Sequence, residues 1–133
     1  MISFEIEGIP VPKGRSRSTR SGHHYTPAKT RAYEQLVALR AREAMRGPPL
    51  EGPLQVSIWF FMPIPASWSH AKHDRAHSGL IKHTVKPDLS NLAKSIEDGM
   101  NGFVYRDDSQ IVALHLGKRY SYTPVVWVEV IEL

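Results

Sequence analysis

Residues 86–111 read KPDLSNLAKSIEDGMNGFVYRDDSQI, and the way this stretch divides decides the fold. Pro87 disfavours helical geometry at Lys86, so a helix starts naturally at Asp88. From there Leu89, Leu92, Ile96 and Met100 recur at helical spacing and form one apolar stripe, with Gly99 and Gly102 near its end. The acidic pair Asp107 and Asp108 then stands at the head of a segment, 109–118, that reads as a strand.

Working outward, residues 124–132 form a second C-terminal strand, joined to the first by a turn around Ser121 to Pro124. On the N-terminal side, 53–62 (PLQVSIWFFM) alternates, with Leu54, Val56, Ile58 and Phe60 on one face of a strand. Between that strand and Lys86 lies PIPASWSHAKHDRAHSGLIKHTV, which is polar, histidine-rich and bounded by prolines. It reads as a long mobile loop with room for a short helix, and the role of residues 66–85 is not legible. A helix is expected from Ala28 to about Arg46, capped by Thr26 with Pro27 at its first position and stopped by Gly47, Pro48 and Pro49. Its apolar positions are Tyr33, Leu36, Val37, Ala41, Ala44 and Met45. Residues 2–7 (ISFEIE) alternate as an opening strand with Ile2, Phe4 and Ile6 inward. The order β-α-β-α-β-β predicts one α+β domain over residues 1–133, with two helices packed on a small mixed sheet.

Composition agrees. A chain of 133 residues, 41% apolar and 23% charged, suits one modest globular core. Cysteine is absent, which excludes a disulfide framework and any thiolate metal site, so a metal would need oxygen or imidazole ligands. No apolar run approaches the roughly 20 residues of a membrane span and no signal-like segment opens the chain, so a soluble, cytoplasmic protein is expected.

Net charge is +4. Between residues 13 and 31, Lys13, Arg15, Arg17, Arg20, Lys29 and Arg31 occur without one acidic residue. Such a stretch attracts polyanions, nucleic acid first among them; a solvated loop is the plainer alternative.

The acidic positions admit two readings. Asp88 suits a helix cap, and Asp107 and Asp108 suit turn residues. Geometry offers more. Asp98 lies about 15 Å along the helix axis from Asp88, too far to share one ion. The return from Asn101 to Asp107, however, is long enough to bring Asp108 next to Asp88. Carboxylates at close range call for a cation, and Mg²⁺ accepts one or two of them while keeping several waters. Lys94, about 9 Å up the helix, can lean back toward a phosphate. His70, His73 and His77 have spacings that suit zinc, but on a stretch without an evident rigid scaffold. His23 and His24 join the basic loop, and His115 is expected to be packed.

At these residues the sequence resembles the RusA-type Holliday junction resolvases, small dimeric Mg²⁺-dependent endonucleases. KPDLSNLAK, EDGMNG and VYRDDSQI match in order and spacing, with PVPKGRSR, YTPAKTRAYE and HTVKPD upstream, so the resemblance covers essentially the whole chain. It implies a homodimer that nicks four-way junction DNA symmetrically in recombination and repair, using Mg²⁺ or Mn²⁺, in a bacterial or phage setting. The family's Asp-x-Asp-Asn-x-x-Lys pattern falls on Asp88, Asn91 and Lys94, and its later essential carboxylate on Asp108 with Asp107 beside it. Asp88, Asp107 and Asp108 are thus the implied metal ligands, and Asp88, Lys94 and Asp108 the implied catalytic set. Asp98 matches a recurrent aspartate outside the metal's immediate ligands. Lys13, Arg15, Arg17, Arg20 and Lys86 are expected along the DNA backbone.

One position departs: Ser90 stands where the pattern has its second aspartate. A junction-binding protein that no longer cuts is the alternative this substitution raises. A divergent nuclease of the restriction-enzyme type would need an acidic-x-lysine on the following strand, and none is found.

Overall fold

The computed structural model describes residues 1–14, 17–18, 20–22 and 24–133, and the side chains of 17, 18, 24 and 25 lie outside that description. The opening strand β1 (Ile2–Glu7) buries Phe4 and Ile6, as its alternation predicts. A minimal hairpin, β2 (Arg17–Ser18) with β3 (His24–Tyr25), lies within the basic loop and precedes helix α1 (Ala28–Ala44). Strand β4 (Leu54–Pro63) is followed by helices α2 (His70–His77) and α3 (Leu89–Met100). A 3₁₀ turn over Asp108–Gln110 leads into β5 (Ile111–Ser121), and β6 (Val125–Glu132) closes the chain.

The main sheet has the order β1-β6-β4-β5. β6 runs antiparallel to both β1 and β4, whereas β4 and β5 are parallel, with Ile58 opposite Leu116. A parallel pair cannot be joined by a tight turn, so the chain between them must cross over, and α2, α3 and the acidic turn occupy that crossover. Leu54, Val56, Ile58 and Phe60 are buried with Val37 and Ala41 of α1 and Leu92, Ile96 and Met100 of α3 in one core. α1 and α3 pack tightly at Gly99, where an added Cβ would stand 2.6 Å from Val37 Cβ. The result is the single α+β domain with a mixed sheet that the sequence predicts.

Five local expectations change, the first being that β5 covers Ile111–Ser121 rather than 109–118, since Ser109 and Gln110 belong to the 3₁₀ turn. The domain has three helices rather than two. α2 forms because Ser69 accepts a hydrogen bond from Lys72 N (3.2 Å) as its cap, while Ala76 is its one buried residue. Asp74 and His77 serve docking: Tyr122 donates its hydroxyl to Asp74 and its backbone N–H to His77 Nδ1 (3.2 Å), with the His77 and Tyr122 rings 4.2 Å apart. Thr26 is not the cap of α1. That place falls to Pro27, without a side-chain cap bond, and the helix ends at Ala44 rather than Arg46 because Met45 is extended. His115 is exposed on β5, an edge strand, rather than packed. No helix among the described residues is long and apolar enough to cross a membrane.

Candidate active site

Asp88 holds the N-cap position of α3, yet its carboxylate makes no cap hydrogen bond. The residue is exposed, as are Ser90 and Asn91 on the first turn. One helix-turn pair follows: Lys94 Nζ lies 3.0 Å from Asp98 Oδ1, four residues on. The other Asp98 oxygen, Oδ2, lies 2.9 Å from Lys13 Nζ, which in turn lies 2.5 Å from Glu34 Oε1. Asp98 therefore sits between two ammonium groups from distant parts of the chain.

The stem of the basic loop is fastened across the two helices. Lys13 N donates to Asn91 O (2.9 Å), Ser95 Oγ reaches Val11 O (2.7 Å) and Gly14 N donates to Thr30 Oγ1 (2.9 Å). Gly14 is needed there, since a Cβ would lie 2.7 Å from Thr30 Oγ1. Lys13, expected on the DNA backbone, is thus committed to Glu34 and Asp98. Arg20 and Lys86 are exposed. Arg15 and His23 lie outside the described residues, and so do the side chains of Arg17 and His24.

The return from α3 brings Asp108 back alongside the helix. Its Oδ2 lies 3.7 Å from Lys94 Nζ, so its charged partner is that ammonium, about 9 Å of helix rise beyond Asp88. Asp107 is used locally: its carboxylate accepts from Ser109 N (3.0 Å) and caps the 3₁₀ turn, the turn role that its position suggests. Gln110 was not legible as a site residue, but it fixes the turn. Its Oε1 accepts from Arg106 N (2.9 Å) and Asp107 N (3.0 Å), and its Nε2 donates to Leu50 O (2.9 Å) and Gly52 O (3.0 Å). Tyr105, buried, donates its hydroxyl to Glu97 O (2.8 Å) and ties the return to the end of α3.

These positions set the protonation states. Burial pushes the Asp98 carboxyl up, but hydrogen bonds from Lys13 and Lys94 outweigh it and hold the group below the ordinary aspartate value. The bond from Lys94 to Asp98 raises the ammonium's pKa against the opposing effect of burial, with Asp108 adding to it. Burial raises the Glu97 carboxyl; Lys94 opposes this, and the fields of Asp108 and Asp98 add to it. Glu97 was another residue that the sequence did not single out. At the other end of α3, Lys118 Nζ donates to Val85 O (2.8 Å) and Pro87 O (2.9 Å), which fixes the segment just before Asp88. Burial lowers its pKa, and Asp88 partly offsets this.

Among the described residues, no group of three or more His, Asp or Glu side chains is assembled to hold a metal ion. The available donors are nonetheless of the right kind for a hard cation. Asp88 has no cap bond to give up, Asp108 keeps one loose ion pair, and Mg²⁺ binds through one or two carboxylates with water and phosphate oxygens.

α3 thus opens with the exposed carboxylate of Asp88, and further along it Lys94 stands between Asp98 and the Asp108 of the 3₁₀ turn. The Endodeoxyribonuclease RusA family model matches residues 7–131, and the chain belongs to that family. It is also 38% identical over 137 residues to the uncharacterized protein YqaN of Bacillus subtilis (strain 168), covering 99% of this chain and 96% of that one.

Proposed function

We propose that this protein is a homodimeric, Mg²⁺-dependent endonuclease that resolves four-way DNA junctions by paired nicks in opposing strands. The observation that carries the reading is the gathering of Asp98 and Asp108 around Lys94, on a helix that opens with Asp88, in a chain of an endodeoxyribonuclease family.

Asp88 and Asp108 would hold the metal, with Asp107 and Gln110 fixing the turn that carries Asp108. When bound, Mg²⁺ supplies Lewis-acid chemistry, polarising phosphoryl oxygens and lowering the pKa of water. Lys94, kept charged by Asp98, neutralises charge on the scissile phosphate or on the departing oxygen. Asp98 acts through Lys94 as a positioning residue. Lys86 and the arginines Arg15, Arg17 and Arg20 would follow the DNA backbone, whereas Lys13 anchors the stem of their loop.

Ser90 favours a second reading, a junction-binding protein that does not cut, because an exposed hydroxyl takes the place of a carboxylate on the first turn. A labelled four-way junction and a linear duplex of the same sequence, each incubated with Mg²⁺ or with EDTA, separate the two. The nuclease reading expects nicks in opposing strands of the junction, only with Mg²⁺. A gel shift without nicks at any Mg²⁺ concentration would leave the binding protein.

A further inference from the structure

The main sheet ends in β1 on one side and β5 on the other, and these two edges are built differently. β1 alternates its inward residues with exposed Ser3, Glu5 and Glu7, and charged side chains discourage a further strand from adding there. β5 carries no such guard at its start. Its first six residues read IVALHL, without a carboxylate, lysine, arginine or proline, and Val112 and Leu114 are 64% and 40% exposed. An apolar, uncovered edge strand is a template for pairing with another strand.

The length of open edge is defined by its neighbours. Beyond Gly117 the strand is engaged: Lys118 reaches Val85 O and Pro87 O, and Arg119 donates to His77 O (2.8 Å). Over residues 112–116 the backbone pairs with β4 alone among the described residues. Leu114 and Leu116 stand opposite Val56 and Ile58, on the face that bears α1 and α3, while Val112 is the extra residue where the register with β4 shifts. The open stretch is centred on Leu114.

The strand also has opposite charges at its two ends. Asp107 and Asp108 precede it, and Lys118 and Arg119 stand near its finish. A second copy running antiparallel about a two-fold axis at Leu114 brings the acidic head of each β5 beside the basic end of the other. A parallel partner would set like charges together. In the antiparallel register Val112 faces the partner's Leu116, and the small Ala113 faces the partner's His115.

We propose that β5 pairs with the β5 of a second copy of this chain across a two-fold axis at Leu114, joining the two four-stranded sheets into one. The proposal rests on the homodimer of the reading above and gives that dimer its interface.

The chain contains no cysteine, so single cysteines report contacts without background. Residues directly opposite in an antiparallel pair have Cα atoms about 4.5–5.5 Å apart, within the span of a disulfide. Leu114→Cys should therefore form a covalent dimer under mild oxidation, whereas Ser3→Cys, exposed on the opposite edge, should stay reduced. Leu114→Lys sets two ammonium groups against each other at the axis, and light scattering at micromolar concentration should show the mass halved while unfolding stays cooperative. Should that variant fail to fold, the two cysteine variants decide alone. A folded Leu114→Lys that keeps the dimer's mass, a Leu114→Cys that does not cross-link, or equal cross-linking through Ser3→Cys would overturn this edge as the interface and leave a homodimer built on another surface. A natural protein that is monomeric with and without junction DNA would overturn both.

Discussion

Asp98 shows how much one carboxylate organises. It joins Lys13 from the loop stem to Lys94 on α3, and through Lys94 it reaches Asp108. Asp98→Asn should cost about 1 kcal/mol, between the values of exposed and fully buried pairs. It should also slow cleavage by loosening Lys94, with junction affinity little changed. The pH dependence has a definite sign. The folded pKa of Asp98 is lowered, so its stabilisation is present above the ordinary aspartate range and is lost as pH falls through the lowered value. Denaturant melts between about pH 5 and pH 2 should therefore show a steeper acid loss for the natural protein than for Asp98→Asn. Glu97, whose pKa is raised, works in the opposite direction and is common to both proteins. Ser90 supports a second prediction. If it faces the cation, Ser90→Asp adds a carboxylate and half-maximal nicking should occur at lower Mg²⁺; superimposable Mg²⁺ activation curves would place position 90 away from the ion. Lys94 and Asp98 stand i, i+4 on a helix and pair in the structure, whereas in the sequence Lys94 read only as leaning back toward a phosphate. The Lys13–Asp98 pair was not legible, because nothing local links residues 85 positions apart, and so Lys13 read as a free DNA contact.

At the scale of elements, the two long helices must approach closely for the loop stem to bridge them, and Gly99 permits it. Gly99→Ala would place its Cβ 2.6 Å from Val37 Cβ and 3.0 Å from Glu34 O. That overpacking should cost about 1–3 kcal/mol, visible as a lower Tm in thermal unfolding. An unchanged Tm would mean that α1 and α3 have slack between them. The elements that the sequence made legible are those with one clean apolar face: β1, α1, β4 and α3 follow their stripes, with Ile6, Val37, Ala41, Leu54, Val56, Ile58, Leu92 and Ile96 buried as predicted and Ile2, Leu36, Ala44, Met45 and Leu89 only partly so. α2 was less legible because a helix that buries only Ala76 carries no apolar period, and its docking depends on Tyr122, far along the chain. Strand order was not legible either. β4 lies parallel beside β5 through a crossover, and local alternation says nothing about which neighbour a strand finds. The capping box of the acidic turn is local, yet the anchors that Gln110 makes at Leu50 and Gly52 are not.

For the whole molecule, the proposed reading, with one acidic site per chain and a substrate of near two-fold symmetry, needs two copies to make paired cuts, and closed two-fold dimers are the commonest oligomers. Light scattering is expected to give the mass of a dimer at micromolar concentration. A stable monomer, with and without junction DNA, would remove the second active site from the account. The distribution of charge serves the same end: cationic groups precede α1, while the carboxylates gather around α3 and the turn after it. On the proposed reading, binding and cutting are therefore separable. The most direct measurement is single-turnover cleavage of a labelled four-way junction in Mg²⁺, with gel shifts in parallel, for the natural protein, Asp88→Asn and Asp108→Asn. Nicks in opposing strands are expected from the natural protein. Each variant should retain junction binding and lose about a hundredfold or more in cleavage rate. Cleavage by Asp88→Asn at the natural rate would contradict the central claim that the first turn of α3 carries the chemistry.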